Sequence, residues 1–520
     1  MPRRNRVLRE SGSVGTTSLL AAVERSRRSV SPLLDPVQRG NLGQFLTPAP
    51  LATFLASMTR CKLDEIRILD PGAGAGALSA AMVESLCHRA SPPESIELTA
   101  VEVDPIMIGH LRETLAACET LCEERGIRFR SRVVQADFLE AGADSLSGEL
   151  FSGVDLGRFD CAILNPPYRK IGTASLERQL LRRLGIESTN LYTGFLAIAA
   201  RLLAPGGEMI AITPRSFCNG PYFEPFRHDL LGKMRFCRMH VFDSRNSAFS
   251  DDKVLQENVV FHAVKDRKLR SPVIVSASPS PDAQVIRQRE IAHGALVHPD
   301  DPHAVIHIVP EPGGASLRRR LGRLGGSLAS LRIGVSTGRV VDFRAKALLR
   351  AQPEPESAPL IYPVHFKDGF VDWPGTQIRK PNALALGPGS TELLVPTGCY
   401  VLTKRFTSKE ERRRIVAAVF DGDRVGGPAV AFENHLNYFH RDGAGLPRTL
   451  ALGLAMFLNS TIIDQYFRQF SGHTQVNASD LRSLPYPSES DLTALGEQVD
   501  GILPDQLITD ELVGKLVSDD

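Results

Sequence analysis

The run Ile66-Arg67-Ile68-Leu69 passes directly into Asp70-Pro71-Gly72-Ala73-Gly74-Ala75-Gly76 and then into the helix-like stretch Ala77 to Cys87. Glycines at alternate positions between a strand and a helix let the backbone approach a ligand closely. In doubly wound sheets that happens at the carboxyl end of a strand. The context agrees, because β-rich runs alternate with helical stretches from 41 to 265, the pattern of a mostly parallel sheet covered by helices. Strands are predicted at Ile66 to Leu69, Ile96 to Val101, Arg130 to Val134, Phe159 to Leu164 and Met209 to Ile212. Helices are predicted at Leu51 to Met58, Ala77 to Cys87, Ile106 to Cys122 and Leu191 to Leu203.

The rest of the chain reads differently. Residues 1–40 are rich in Arg and Ser with little apolar periodicity, and are expected to form a loosely docked basic arm. Ser-Pro-Ser-Pro at 278–281 and glycine pairs at 313 and 325 mark 266–330 as a linker and junction. A second domain is expected over 331–490, with Leu450 to Phe470 strongly helix-like, and 491–520 as a tail. With 520 residues, 42% hydrophobic and 23% charged, the chain has the profile of a soluble globular protein, and a net charge of +2 requires any nucleic-acid surface to be local. No apolar run has the length of a membrane span and no signal-like segment follows Met1, so a cytoplasmic location is expected. The eight cysteines lack the paired spacing of a zinc site, which leaves reduced structural thiols as the reading.

The loop's chemistry narrows its ligand. Its spacing is G-x-G-x-G, not the G-x-G-x-x-G that seats a pyrophosphate, and Asp70 would repel a phosphate while attracting an ammonium or sulfonium group. That favours S-adenosylmethionine, with Gly72, Gly74 and Gly76 framing it. Glu102, at the end of the second strand, is placed to accept both ribose hydroxyls, with Asp104 in reserve. After the third strand, Asp137 can accept from the adenine amino group and Phe138 can pack on the ring. The fourth strand ends in Asn165-Pro166-Pro167-Tyr168. Two prolines make a stiff elbow, so the Asn165 side-chain oxygen and the Pro166 carbonyl can accept both N–H bonds of a planar amino group while Tyr168 offers a flat face.

Glycine loop, acidic second strand, Asp-Phe and Asn-Pro-Pro-Tyr together resemble the S-adenosylmethionine-dependent amino-methyltransferases of DNA. More narrowly they resemble the gamma group of adenine methyltransferases of type II restriction-modification systems, the TaqI-like kind. The segment Phe45-Leu46-Thr47-Pro48, upstream of the loop, matches that group's order. The resemblance implies a Rossmann-like class I methyltransferase followed by a separate mixed α/β target-recognition domain. It implies that Phe45, Thr47 and Pro48 close over the methionine part of the cofactor, and that Phe249 covers the open face of a flipped adenine stacked on Tyr168. Such stacking contributes about 1–3 kcal/mol per base. The implied reaction is methyl transfer to the exocyclic amino group (N6) of adenine in duplex DNA.

Basic residues interleaved with aromatics in the second domain suggest DNA contacts: Arg379, Lys380, Lys404, Arg405, Asn434 and Tyr438. A cognate restriction endonuclease would be a system partner without stable contact, and one site with one recognition domain suits a monomer. Two rivals remain at this level. One is a glutamine methyltransferase acting on translation release factors, which also uses Asn-Pro-Pro-Tyr. The other is a non-catalytic DNA-recognition subunit.

Overall fold

A computed structural model describes residues 19–30, 46–147, 154–243, 257–266, 271–309, 314–376, 378–407, 410–471 and 475–518. Phe45, Phe249 and 472–474 lie outside the described residues. The chain divides into two compact units, Met1–Pro214 with Pro225–Ile286 and Arg215–Glu224 with Arg287–Asp520.

The strands of the first unit are β1 (Glu65–Pro71), β2 (Ser95–Glu102), β3 (Arg128–Gln135), β4 (Phe159–Leu164), β5 (Leu203–Pro214), β6 (Arg235–Phe242), β7 (Asn258–Val264) and β8 (Val273–Ser278). They lie in the order β3-β2-β1-β4-β5-β7-β6-β8. β1 is parallel to both β2 and β4, and β7 runs antiparallel between β5 and β6. β4, Phe-Asp-Cys-Ala-Ile-Leu, is buried at every residue, as expected of a central strand covered on both faces. β3, with arginines at 128, 130 and 132, is mostly solvent-facing, the charged chemistry that blunts a sheet edge. β5 begins at Leu203 rather than at the expected Met209, because Leu203 already pairs with Phe159 before a register shift leads to the pairing of Cys161 with Glu208.

The helices of this unit include α1 (Leu19–Val30), α2 (Ala49–Ala56), α3 (Ala77–Cys87), α4 (Pro105–Glu124), α5 (Phe138–Ser147), α6 (Leu176–Arg183) and α7 (Leu191–Leu202). The expectation of a loose arm over 1–40 fails for α1, which buries Val23, Arg27 and Val30 and packs against α3 and α4. Its buried guanidinium is neutralised in place, since Arg27 donates to both carboxylate oxygens of Glu24 at 2.9 and 2.8 Å. A basic composition therefore did not mean a solvated surface. All eight cysteines are buried thiols, and Cys87 and Cys122 share an S–H···S hydrogen bond at 3.6 Å without a disulfide.

The interval 266–330 is not a linker throughout, since β8 inside it pairs in parallel with β6. The second unit contains a mostly antiparallel sheet ordered Gly334–Thr337, Leu436–His440, Cys399–Lys404, Ala417–Asp421, Phe370–Val371, Phe366–Lys367, and a five-stranded sheet beside it. The helix-like stretch 450–470 is two helices, Arg448–Leu458 and Thr461–Phe470, bent by 61°. The break has a cause: the Asn459 side chain leaves the helix to bond the backbone N–H and carbonyl of Ala417 at 3.0 and 2.9 Å. No single helix among the described residues is long and apolar enough to cross a membrane.

Nor is 491–520 a tail. Helix Glu489–Glu497 lies against Arg448–Leu458, and Val513 of helix Gln506–Lys515 is fully buried in the same core. At the crossing the two backbones meet: a Cβ on Gly453 would sit 1.7 Å from the Leu492 carbonyl oxygen, and one on Gly496 would sit 1.8 Å from that of Thr449. Backbone cannot yield as a flexible side chain can. Gly453→Ala is expected to lower the unfolding free energy of this unit by about 3 kcal/mol or more. Urea denaturation followed by near-ultraviolet dichroism checks it, and a loss below about 1 kcal/mol would contradict the packing.

Candidate active site

Strand order reverses at β1, whose two parallel neighbours carry the chain away in opposite directions, so a crevice opens beyond the carboxyl ends of β1 and β4. The register pairs Ile68 with Cys161 and Leu69 with Ala162. The glycine loop and Asn165-Pro166-Pro167-Tyr168 thereby come to one cleft, although they are far apart in sequence. Its lining includes Gly72, Gly74, Glu102, Asp137, Phe138 and Asn165.

Glu102 organises the floor. It is 4% exposed; its Oε2 accepts the Gly74 N–H at 2.7 Å and its Oε1 accepts those of Val103 and Asp104 at 2.9 and 2.8 Å. Burial pushes its carboxyl above the usual range, and the three N–H donors pull it back. The reserve residue Asp104 does other work, capping α4 by accepting the Ile106 N–H at 2.8 Å. Asp137 likewise caps α5, its Oδ1 accepting the Leu139 N–H at 2.7 Å, while both residues of the Asp137-Phe138 pair line the cleft.

Two residues of the expected glycine-loop site lie off the cleft lining. Asp70 is fully buried and lies beneath the loop instead of in the cleft lining; Ser79 Oγ donates to its Oδ2 at 2.6 Å, tying β1 to the first turn of α3. Gly76, at φ 87°, also lies off the lining. Its missing Cβ gives room to α4, since that atom would meet Thr114 Cγ2 at 2.9 Å. The three alternating glycines thus divide, Gly72 and Gly74 lining the cleft and Gly76 making room for helix packing.

Asn165 is held from both ends of its amide. Nδ2 donates to Thr47 Oγ1 at 3.0 Å, and Oδ1 accepts the Tyr168 hydroxyl at 3.2 Å, which also lies 3.3 Å from the Ile212 carbonyl. Thr47 is buried, and Pro48 after it is the N-cap of α2. Tyr168 packs against the core and meets Tyr192 edge-on at 6.2 Å; burial holds its hydroxyl well above the ordinary phenol range. Sequence reasoning missed Arg169, which lines the cleft and pairs with Glu177 at 2.6 Å, and the role of Phe195, whose ring lies 5.0 Å from Phe138 in the same lining. Arg169's place directly after the tetrapeptide was the available signal.

The residues expected to face DNA separate in the second unit. Arg379 and Lys380 are exposed, with Lys380 ion-paired to Asp342 at 2.8 Å. Lys404 lies over the Phe366 ring at 6.0 Å, and Arg405 donates to the Asn434 carbonyl at 3.1 Å. Tyr438 is corrected: it is 2% exposed, packed against Tyr400 and Phe432 inside a core cluster, and cannot reach a duplex. Arg414, from the run Arg412-Arg413-Arg414, is also buried, donating to Ser471 Oγ at 3.1 Å.

Asp70 yields a pH prediction. Burial, opposed by the Ser79 bonds and reinforced by the Glu102 charge, lifts its carboxyl to about 7 from 3.8. Over that interval the folded state keeps a proton that the unfolded state has released, so ionisation of this group lowers stability as pH rises from 3.8 to about 7, with no further change above. Asp70→Asn removes the effect. The stability difference between variant and parent is expected to grow in the variant's favour across that interval and then level off, read by urea unfolding at several pH values. A pH-independent difference would contradict the raised carboxyl.

The cleft suits S-adenosylmethionine: two carboxylates at successive strand ends present acceptors to hydroxyl and amino donors, and Gly72 and Gly74 leave the loop bare of side chains. The sheet is Rossmann-like, mostly parallel with β7 antiparallel between β5 and β6, and S-adenosylmethionine is the cofactor. The Eco57I restriction-modification methylase family matches residues 115–249. The type II methyltransferase M.PstI of Providencia stuartii is 41% identical over 498 residues, 96% of this chain and 97% of the relative. M.BsuBI of Bacillus subtilis is 42% identical over 485 residues, 93% of this chain and 94% of the relative. Among solved structures, a DrdV–DNA complex aligns with TM-score 0.47 at 12% identity, covering 92% of this chain and 59% of that one. With identity above 40% along nearly the whole of two type II methyltransferases, the chain belongs to the type II DNA methyltransferases of restriction-modification systems.

Proposed function

We propose that this methyltransferase acts on the exocyclic amino group (N6) of an adenine rotated out of duplex DNA, at a site chosen by the second unit, as the protective half of a restriction-modification system. The observation that carries the reading is the Asn165 amide, fixed by Thr47 and Tyr168 at the carboxyl end of β4 in the cleft shared with the glycine loop. Nδ2 donates to Thr47, and Oδ1, the accepting end of the amide, is assigned to take an N–H of the incoming amino group beside the Pro166 carbonyl.

Both acceptors gain strength as the amino nitrogen becomes tetrahedral and positive, so they favour the transition state over the ground state. S-adenosylmethionine supplies the electrophilic methyl group when bound. Glu102 and Asp137 orient its nucleoside, and Thr47 and Pro48 flank its methionine end. The clamp needs no strong general base, because a methylated ammonium of this kind releases its proton readily. Tyr168 gives one stacking face to the extruded base, its ring held by the hydroxyl bonds to Asn165 and Ile212. Phe249, outside the described residues, is assigned the other. Arg379, Lys380, Lys404 and Arg405 are assigned to phosphates and base edges of the duplex. Duplex DNA is the partner in this reading, bound by one copy of the chain, with a cognate endonuclease acting on the same site without stable contact. Glutamine methylation of a release factor has no observation in its favour in a chain matched end to end by type II methyltransferases.

Asn165→Ala is expected to retain cofactor binding by calorimetry while methylation of plasmid DNA falls by orders of magnitude. Mass spectrometry of digested nucleosides from a methylation-free host expressing the parent should show N6-methyladenine. Unchanged turnover in the variant, or another modified base in the parent, would overturn the assignment. Thr47→Val frees the Asn165 amide without changing side-chain size; loss of a bond of about 1 kcal/mol corresponds to roughly fivefold slower methyl transfer. Thr47→Ser, which restores the acceptor, is expected to recover most of the rate in single-turnover assays.

A further inference from the structure

A cavity of about 740 Å³ opens within the second unit, and the methyl-transfer reading assigns it no role. Its walls are largely apolar, with Ile291, Val305, Val309 and Phe470 among them, but four guanidinium groups also line it: Arg289, Arg318, Arg319 and Arg482. Among the described lining residues the carboxylate they face is Asp301, whose two oxygens are already engaged by the backbone N–H groups of His303 and Val305 at 3.0 and 2.8 Å, while Glu224 is taken up by His303 at 2.7 Å. Arg289 and Arg482 are steadied by carbonyl oxygens, of Val309 and Val335, each at 2.7 Å. A carbonyl fixes an arginine without cancelling its charge. Arg318 and Arg319, on helix Gly314–Gly322, have no hydrogen bond or ion pair among the described residues.

Deeper in the cavity stands His307. It is 9% exposed and packed edge-on against Phe470 at 5.9 Å, and its Nδ1 has no partner among the described residues. Burial, with Arg318 next in effect, holds the imidazole down to about 3, so the ring is neutral at physiological pH and keeps one N–H to donate. Burial also lowers Arg318 from its ordinary value. A guanidinium partly withdrawn from water, with the Asp301 charge nearby but no direct ion pair among the described residues, is costly, and the cost is recovered when an oxyanion docks, best of all a phosphoryl group that its fork can grip in two places.

We propose that this cavity is a phosphoryl-binding site in which Arg318 is the central ligand, Arg289, Arg319 and Arg482 add charge at the rim, and the His307 ring supplies a buried polar contact. The phosphoryl group could belong to the DNA backbone, in which case the inference rests on the DNA methyltransferase reading, or to a free phosphate compound, in which case it does not.

The test uses the full chain, its Arg318→Gln variant and the Arg318→Gln/Arg482→Gln double variant. Inorganic phosphate is titrated by calorimetry, and a duplex oligonucleotide is titrated by fluorescence anisotropy at several salt concentrations. If the DNA backbone is the source, the slope of log affinity against log salt falls in magnitude by about 0.9 for each phosphate that the altered side chains cease to neutralise. If a free phosphate compound is the source, the parent binds inorganic phosphate, the variants bind it at least tenfold more weakly, and the DNA salt slope stays the same. Either result supports the site. Parent and variants that show the same phosphate titration and the same DNA salt slope, with unchanged melting temperature and cofactor binding, would overturn it. A parent that bound phosphate but no duplex would count against the DNA reading alone.

Discussion

The parallel pairing of β1 with β4, set by Ile68 opposite Cys161 and Leu69 opposite Ala162, is the constraint on which the active cleft depends. It makes two strand ends that are remote in sequence into neighbours, and it puts the point of strand-order reversal between them. A shift of the pairing by one residue would turn every side chain of β4 to the opposite face. β4 is apolar on both faces except for Asp160, so alternation alone does not fix the register. Asp160 does, because its carboxylate accepts from both the backbone N–H and the guanidinium of Arg67 on β1, at 3.0, 2.9 and 2.8 Å.

From that pairing follows an economy of carboxylates. Glu102 and Asp104 at the end of β2 and Asp137 after β3 each spend hydrogen-bonding capacity on backbone N–H groups before any ligand arrives. Asp70 goes further and is wholly internal. The cleft is therefore rigid at its acidic positions, and its negative potential sits where a cationic cofactor has to dock. Rigidity of this kind keeps reorganisation small when the charge is moved during reaction.

Much of this was legible in the sequence because it is local. A strand, a glycine loop and a helix, then an acidic strand end, then Asn-Pro-Pro-Tyr, each announce themselves within a dozen residues. What escaped was set by partners far along the chain. The arginine-rich segment around Arg27 looked solvated, yet Glu24 neutralises it and the helix docks. Tyr438 sat among basic and polar residues that suggested a binding face, but the strand carrying it is covered by the Tyr400 and Phe432 rings. Asp70 and Gly76 belong to the motif that gave the fold away, and only the packing of α3 and α4 shows that they also hold the scaffold together. The terminal helices carry too few apolar residues to stand out, and their place was decided by a glycine-to-glycine backbone crossing that leaves no pattern in hydropathy.

The two-ended grip on Asn165 has a consequence for the chemistry of that position. An amide has one donating and one accepting end, and Thr47 and Tyr168 read both, so the side chain reaches the reaction with its torsion already chosen and little rotational entropy left to lose. A carboxylate in its place would offer two acceptors and no donor, leaving the Thr47 hydroxyl to turn round as the giver, and would add a negative charge to a cleft that already holds Glu102 and Asp137. Asparagine and aspartate, nearly identical in shape, are therefore far from equivalent here: the difference of one proton-bearing nitrogen fixes the direction in which the whole clamp is polarised.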